Sequence, residues 1–181
     1  FYVVIYSMLL KKRTAQNIVI GGAAGAMPPV IGWMAVTGSL SVEPVLLFAL
    51  IFLWTPPHFW ALSVAMKDDY QRANIPMFPV VYGVQETRTK IFQYTFLILA
   101  CSQLVAISSL GGLFFLITSN VLNAYLLYLS FKIFRKKENN DWKIELKFFK
   151  FTIGYLFLFF GALVIQKLIG SNDGQSFFWL I

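Results

Sequence analysis

Apolar residues fall in runs along this chain: Phe1 to Leu10, Ile18 to Val36, Val45 to Met66, Ile91 to Leu110, Leu113 to Phe131 and Phe148 to Leu168. All but the first are about 20 residues long, the length a helix needs to cross roughly 30 Å of hydrocarbon. No run alternates with period two, and lipid offers no partner to an unpaired backbone group, so helices are expected over a barrel. The pattern predicts an all-α, polytopic transmembrane helix bundle with five complete helices preceded by the end of a sixth.

Composition agrees with that class. Of 181 residues, 58% are hydrophobic and only 13% charged, with a mean hydropathy of +0.69, far from a soluble globular domain. Cys101 is the one cysteine, which excludes a disulfide framework and a cysteine-rich metal site. Phe1 already lies in an apolar run, without an initiator Met, a basic leader or a cleavage site, and the chain reads as a C-terminal fragment.

Net charge is +7, but its distribution speaks for topology and against nucleic acid as a partner. Lys11, Lys12 and Arg13 fill the first loop, Lys67, Arg72, Arg88 and Lys90 the third, and Lys132, Arg135, Lys136, Lys137, Lys143 and Lys147 the fifth. The intervening loops hold no Lys or Arg: Thr37 to Pro44 has only Glu43, the Gly111-Gly112 turn is uncharged, and the end after Leu168 has only Asp173. This alternation predicts an integral protein of the lipid bilayer with the basic loops on the cytoplasmic side, or its topological equivalent, and the C-terminus opposite.

The candidate chemistry lies in one stretch, Trp54 to Pro79, WTPPHFWALSVAMKDDYQRANIPMFP. Ionisable groups at a hydrocarbon boundary are expensive and tend to mark function. Asp68 and Asp69 meet the expected interface, and adjacent carboxylates suit Mg²⁺, which takes one or two carboxylates plus phosphate oxygens. Lys67 and Arg72, with Arg88 and Lys90 in the same loop, would share phosphate charge. A solvated acidic helix end is the alternative.

His58 is the chain's only histidine. It reads either as a buried structural hydrogen-bonder or as a substrate contact, acting on haem iron or in proton transfer. Trp54 and Trp60 would then wall a flat apolar substrate, although most aromatics at helical spacing simply pack or face lipid. Pro28-Pro29 and Pro56-Pro57 should each break a helix, and Gly21, Gly22, Gly25 and Gly32 allow close approach, so a cavity between two kinked helices is expected.

The strings LKKRTAQNIVIGGAAGAMPPVIGWMAVTG, WTPPHFWAL and DDYQRANIPMFPVV resemble the UbiA family of intramembrane prenyltransferases, and within it the branch that farnesylates haem. The match in wording runs from about Tyr6 to Thr95. The resemblance implies a nine-helix bundle, of which the whole of 1–181 would be the C-terminal part of a single domain. It also implies farnesyl diphosphate held through Mg²⁺ at two acidic motifs on the cytoplasmic side. The farnesyl group would pass to a vinyl group of haem B, a substrate rather than a cofactor. Haem O and diphosphate result, on the route to haem A, with haem A synthase as a candidate partner. A bacterial cytoplasmic membrane or a mitochondrial inner membrane follows as the location.

Carried over by position, Asp68 and Asp69 match the second acidic motif, and Lys11, Lys12 and Arg13 the basic end of the preceding helix. Asn17, His58, Tyr6 and Arg72 join Trp54 and Trp60 as candidate substrate contacts. Two departures qualify the match. The superfamily's D-x-x-x-D meets Ala73 four residues after Asp69, and the first acidic motif, N-x-x-x-D-x-x-x-D, is not in the chain. The 181 residues alone are therefore expected to be inactive. A transporter would also use broken helices, but no internal repeat is found among the runs. A non-catalytic haem-handling assembly protein would need His58 and the aromatics without the acids.

Overall fold

A computed structural model describes residues 14–137 and 141–173. The expected Phe1 to Leu10 segment, Tyr6, Lys11, Lys12 and Arg13 lie outside the described residues. The elements are α1 (Asn17–Gly25), α2 (Pro28–Thr37), α3 (Val42–Ala65), α4 (Lys67–Arg72), α5 (Phe78–Val81), α6 (Val84–Ile107), α7 (Leu113–Phe134) and α8 (Lys143–Asp173), with no strand among the described residues. Five spans are long and apolar enough to cross a membrane: α1 and α2 together, α3, α6, α7 and the stretch Lys143–Gly170 of α8. The all-α polytopic bundle therefore stands.

The two proline pairs behave differently. Pro28 starts α2 after a turn at Ala26-Met27, where a missing N–H costs nothing and the fixed φ suits a first helical position. Pro56 and Pro57 instead sit inside a continuous α3, which corrects the expected break. A helix tolerates the two lost donors when neighbouring helices and side chains re-satisfy the region. Pro56, Pro57 and His58 are buried, and the Thr55 hydroxyl donates to the Ile51 carbonyl at 2.7 Å.

The helix limits also move. The expected Ile91 start of α6 is Val84, just after Gly83, and the expected Phe148 start of α8 is Lys143. Charged residues that hydropathy assigns to loops thus enter helices. Arg88 is one of them and is fully buried, as is Glu145. The Arg88 guanidinium donates to Glu145 Oε1 from Nε at 3.0 Å and Nη2 at 2.7 Å, and Nη1 donates to the Lys136 carbonyl at 3.1 Å. Lys136 Nζ completes the cluster with Glu145 Oε2 at 3.0 Å and also donates to the Asp141 carbonyl. Trp142 lies 5.9 Å from the Arg88 guanidinium and 5.8 Å from Lys136 Nζ, measured to the ring centre. One cluster thus ties the start of α6, the end of α7 and the start of α8. Arg88 is not the free phosphate-binding cation the loop reading expected.

Deeper in the bundle, Asn123 on α7 donates to Ser102 Oγ on α6 at 2.9 Å and accepts from the Tyr155 hydroxyl on α8 at 2.9 Å. The far end is pinned by the α6–α7 turn. A Cβ on Gly111 would stand 1.8 Å from the Ala106 carbonyl oxygen, so glycine is required there, whereas one on Gly112 would stand 2.3 Å from the Gln166 side-chain nitrogen and displace that side chain. Gln166 accepts from the Phe115 N–H at 3.1 Å, and Ser109 donates to Glu43 at 2.6 Å.

Arg88→Met should destabilise the intact protein by about 3–5 kcal/mol, because it leaves Glu145 buried with one cation fewer. Replacing Arg88, Glu145 and Lys136 together by Met, Leu and Met should recover most of that loss, since a whole buried cluster can be exchanged for apolar packing. Thermal unfolding in detergent reads both. A single variant as stable as wild type contradicts the clasp.

Candidate functional site

The site is built on α3. This helix packs on α6, α8 and α1, and its two tryptophans, six residues apart, point about 120° from one another around the axis. Trp54 turns toward α1 and α8. Its indole N–H donates to the Thr152 carbonyl at 3.0 Å, and its ring stacks on His58 with centroids 4.3 Å apart. Trp60 turns the other way and is 1% exposed, packed on Phe78 at 4.9 Å and Tyr94 at 5.1 Å. The expectation that both tryptophans wall one cavity is therefore corrected. Trp60 instead fastens α5 and α6 to α3.

His58 is 6% exposed. Its ring lies between Trp54 and Phe149, the latter at 4.5 Å, and Nδ1 is 2.7 Å from the Thr152 hydroxyl. That hydroxyl also lies 2.7 Å from the Phe149 carbonyl, to which it can donate. His58 and Trp54 thus meet α8 at one residue, Thr152, through its side chain and its backbone. No sequence motif marks Thr152. The available signal was the one aliphatic hydroxyl in the largely apolar stretch FKFTIGYLF.

A cavity of about 390 Å³ opens between α1 and α3, within the roughly 300–1,000 Å³ typical of small-molecule sites. Gly21, Gly22 and Gly25 form one side, and Trp54, Thr55 and Phe59 the other. Glycine serves two ends here. At Gly22 a Cβ would approach Thr55 Cγ2 to 3.1 Å, so the helices touch, whereas at Gly25 nothing lies within 4 Å of that position. The lining is mostly apolar, and His58 and Trp60 are not part of it.

Asp68 and Asp69 are exposed on α4, directly after the end of α3. Phe59 is six residues before Ala65, about 9 Å of helix rise, so the cavity reaches toward the end of α3 that the acid pair follows. Arg72 Nη1 is 3.8 Å from Asp69 Oδ1, with both side chains largely in solvent, where such a pair contributes little. Asn17, buried at the start of α1, donates to Met77 Sδ at 3.8 Å. That contact brings the α1 end beside the segment following the acids.

No group of three or more His, Cys, Asp or Glu converges among the described residues. The two carboxylates still fit the implied Mg²⁺, because that ion takes one or two hard oxygen ligands from protein and completes its octahedron with water and phosphate oxygens.

The UbiA prenyltransferase family model matches residues 1–167. The chain belongs to the UbiA prenyltransferase family. Curated relatives include proteins named protoheme IX farnesyltransferase from Ruegeria sp. (strain TM1040), 53% identical over 173 residues, and from Ruegeria pomeroyi, 50% identical over 173 residues. Each alignment covers 93% of this chain and 55% or 54% of the relative. One of the same name from Paracoccus denitrificans (strain Pd 1222) is 45% identical over 175 residues, or 94% of this chain and 57% of the relative. The chain spans about half the length of the curated relatives it matches. No solved structure matches it.

The Thr152 junction makes a separable claim. His58→Ala and Thr152→Val should each destabilise the intact protein by about 1–3 kcal/mol, the cost of leaving a buried partner unpaired. The double variant should lose little more than the worse single one, because both remove the same hydrogen bond. Fully additive losses in thermal unfolding would mean the two residues act apart.

Proposed function

We propose that the protein of which this chain is part transfers the farnesyl group of farnesyl diphosphate to a vinyl group of haem B, giving haem O. The observation that carries this reading is identity of 45–53% over more than nine-tenths of the chain to relatives bearing that name. An acid pair at the end of α3 and an apolar cavity along the same helix support it. The UbiA domain of this protein would include all of 1–181, and the lipid bilayer and haem A synthase are its expected surroundings.

In this reading Asp68 and Asp69 face the diphosphate, and Mg²⁺, when bound there, offsets the charge that develops on the leaving group. Arg72 lies within reach of the same region and adds a cationic donor. Gly21 and Gly25 leave room on α1 for the isoprenoid, and Trp54, held by Thr152 and His58, supplies a rigid apolar wall. The allylic C–O bond breaks and diphosphate leaves. The terminal vinyl carbon of haem B forms the new C–C bond, and the cation left on the adjacent carbon takes up water with loss of a proton. An apolar cavity protects the allylic cation from water until the vinyl group attacks. No protein nucleophile is needed. His58 acts here as a positioning residue for Trp54, and its alternative role, direct contact with haem, would be read as selective loss of haem B use in His58→Ala.

Asp68→Asn and Asp69→Asn in the intact protein should each lower turnover by about a hundredfold to a thousandfold, the usual loss when a transition-state charge contact is removed. Near wild-type turnover in the double variant rejects the assignment.

The basic loops are assigned to the cytoplasmic or matrix side because Lys and Arg alternate between loops. A reporter fused after Lys137 should report that side and one fused after Asp173 the opposite side. Both on one side would overturn the orientation.

A further inference from the structure

The seam between α7 and α8 carries a feature the proposed reaction does not use. On α7, Val121, Tyr125, Tyr128 and Lys132 recur at steps of four, three and four, which places them on one face. On α8, Lys147, Phe151, Gly154, Leu158 and Gly161 do the same. The faces meet where Tyr125 packs edge-on against Phe151 at 4.7 Å. Lys132 Nζ stands 4.5 Å from the Tyr128 ring centre and Lys147 Nζ 6.0 Å from that of Tyr125. The two tyrosine rings lie 6.0 Å apart.

Two cations from different helices therefore gather over a pair of half-exposed tyrosines. Among the described residues neither lysine forms an ion pair with a carboxylate. The nearby Glu145 is already engaged by Arg88 and Lys136, and the Asp141 carboxylate accepts from the Lys143 N–H. Along the rest of the seam the surface of the described residues is apolar and open. Val121 and Leu158 are exposed, and a Cβ at Gly154 or Gly161 would meet nothing within 4 Å.

We propose that this seam is a docking site for an anionic phospholipid, its headgroup phosphate held between Lys132 and Lys147 and an acyl chain lying along Gly154 and Gly161. A lipid fits better than an acidic peptide because the seam runs from the basic end of the bundle along the apolar span itself, where acyl chains lie. Tyrosine and lysine are the side chains suited to that depth, with ring in the interface and ammonium at the headgroups. A choline or ethanolamine headgroup would bring its own cation against two ammonium groups. An anionic headgroup meets only attraction, and basic pockets between membrane helices bind such lipids for that reason.

Native mass spectrometry of the intact protein in detergent, with phosphatidylglycerol and phosphatidylcholine supplied at equal concentration, tests this. Phosphatidylglycerol should be retained preferentially, and Lys132→Gln with Lys147→Gln should weaken it by roughly ten- to thirtyfold. Lys132→Arg with Lys147→Arg should restore it. Equal retention of the two lipids, undiminished retention by the Gln pair, or displacement by millimolar inorganic phosphate would overturn the proposal. Where the Gln pair does not fold, a phosphatidylglycerol with a photoreactive acyl chain decides on the wild type. Labelling at Val121, Gly154 or Leu158 supports the seam, and labelling confined to other helices rejects it.

Discussion

Hydrocarbon offers a polar group no hydrogen-bond partner, and the interior of this bundle is arranged around that constraint. Hydroxyls such as Thr55 and Thr95 turn back to their own helix, whereas larger polar side chains are met from another helix. Asn123 is met by Ser102 and Tyr155 from the two helices flanking it. His58 and Trp54 are met by Thr152, and Arg88 by Glu145 and the Lys136 carbonyl. Apolar packing between helices discriminates poorly in lipid, where tails are as apolar as leucine. These polar junctions therefore specify which helix faces which: α6, α7 and α8 at the basic end and at mid-bundle, and α3 against α8 at the cavity.

The same logic gives the candidate site its rigidity. The apolar wall of the cavity, Trp54, is held at both ends, its N–H by a backbone carbonyl of α8 and its ring by His58. Trp60, on another side of α3, fastens the α5 and α6 elements. One helix thus bridges the cavity and the α5–α6 side of the bundle, and Asp68 and Asp69 follow its end at the surface. In the proposed reaction the acids would meet solvent and a diphosphate, and the cavity would exclude water. Placing them on successive stretches of one chain segment satisfies both.

Much of this architecture is legible in the sequence because a membrane span is a length and composition requirement. The runs at Val45 to Met66 and Leu113 to Phe131 correspond closely to α3 and α7. Hydropathy ends a run where charged residues cluster, whereas the backbone continues until a helix terminus is reached. That is why Arg88 and Glu145, within α6 and α8, read as loop residues. Gly83 marked the true start of α6 but carries no charge or hydropathy signal. The direction of a side chain around a helix is in principle readable from its 100° step, and the separation of Trp54 from Trp60 follows from it. The partner on the other side is not readable: Thr152 is 98 residues from Trp54, and nothing local to either announces the contact. The proline pairs differ for the same reason. Pro28 has a turn before it, while Pro56 and Pro57 are enclosed by neighbours that hold α3 continuous.

The central claim is that the isoprenoid occupies the cavity between α1 and α3 while its diphosphate meets the acid pair. Photolabelling of the intact protein with a farnesyl diphosphate analogue carrying a diazirine at the tail end tests it most directly. Adducts should map to 18–25 and 51–59, depend on Mg²⁺, and be competed away by farnesyl diphosphate. Adducts confined to α6, α7 and α8, or labelling in the α1–α3 segments that natural substrate does not displace, would contradict it.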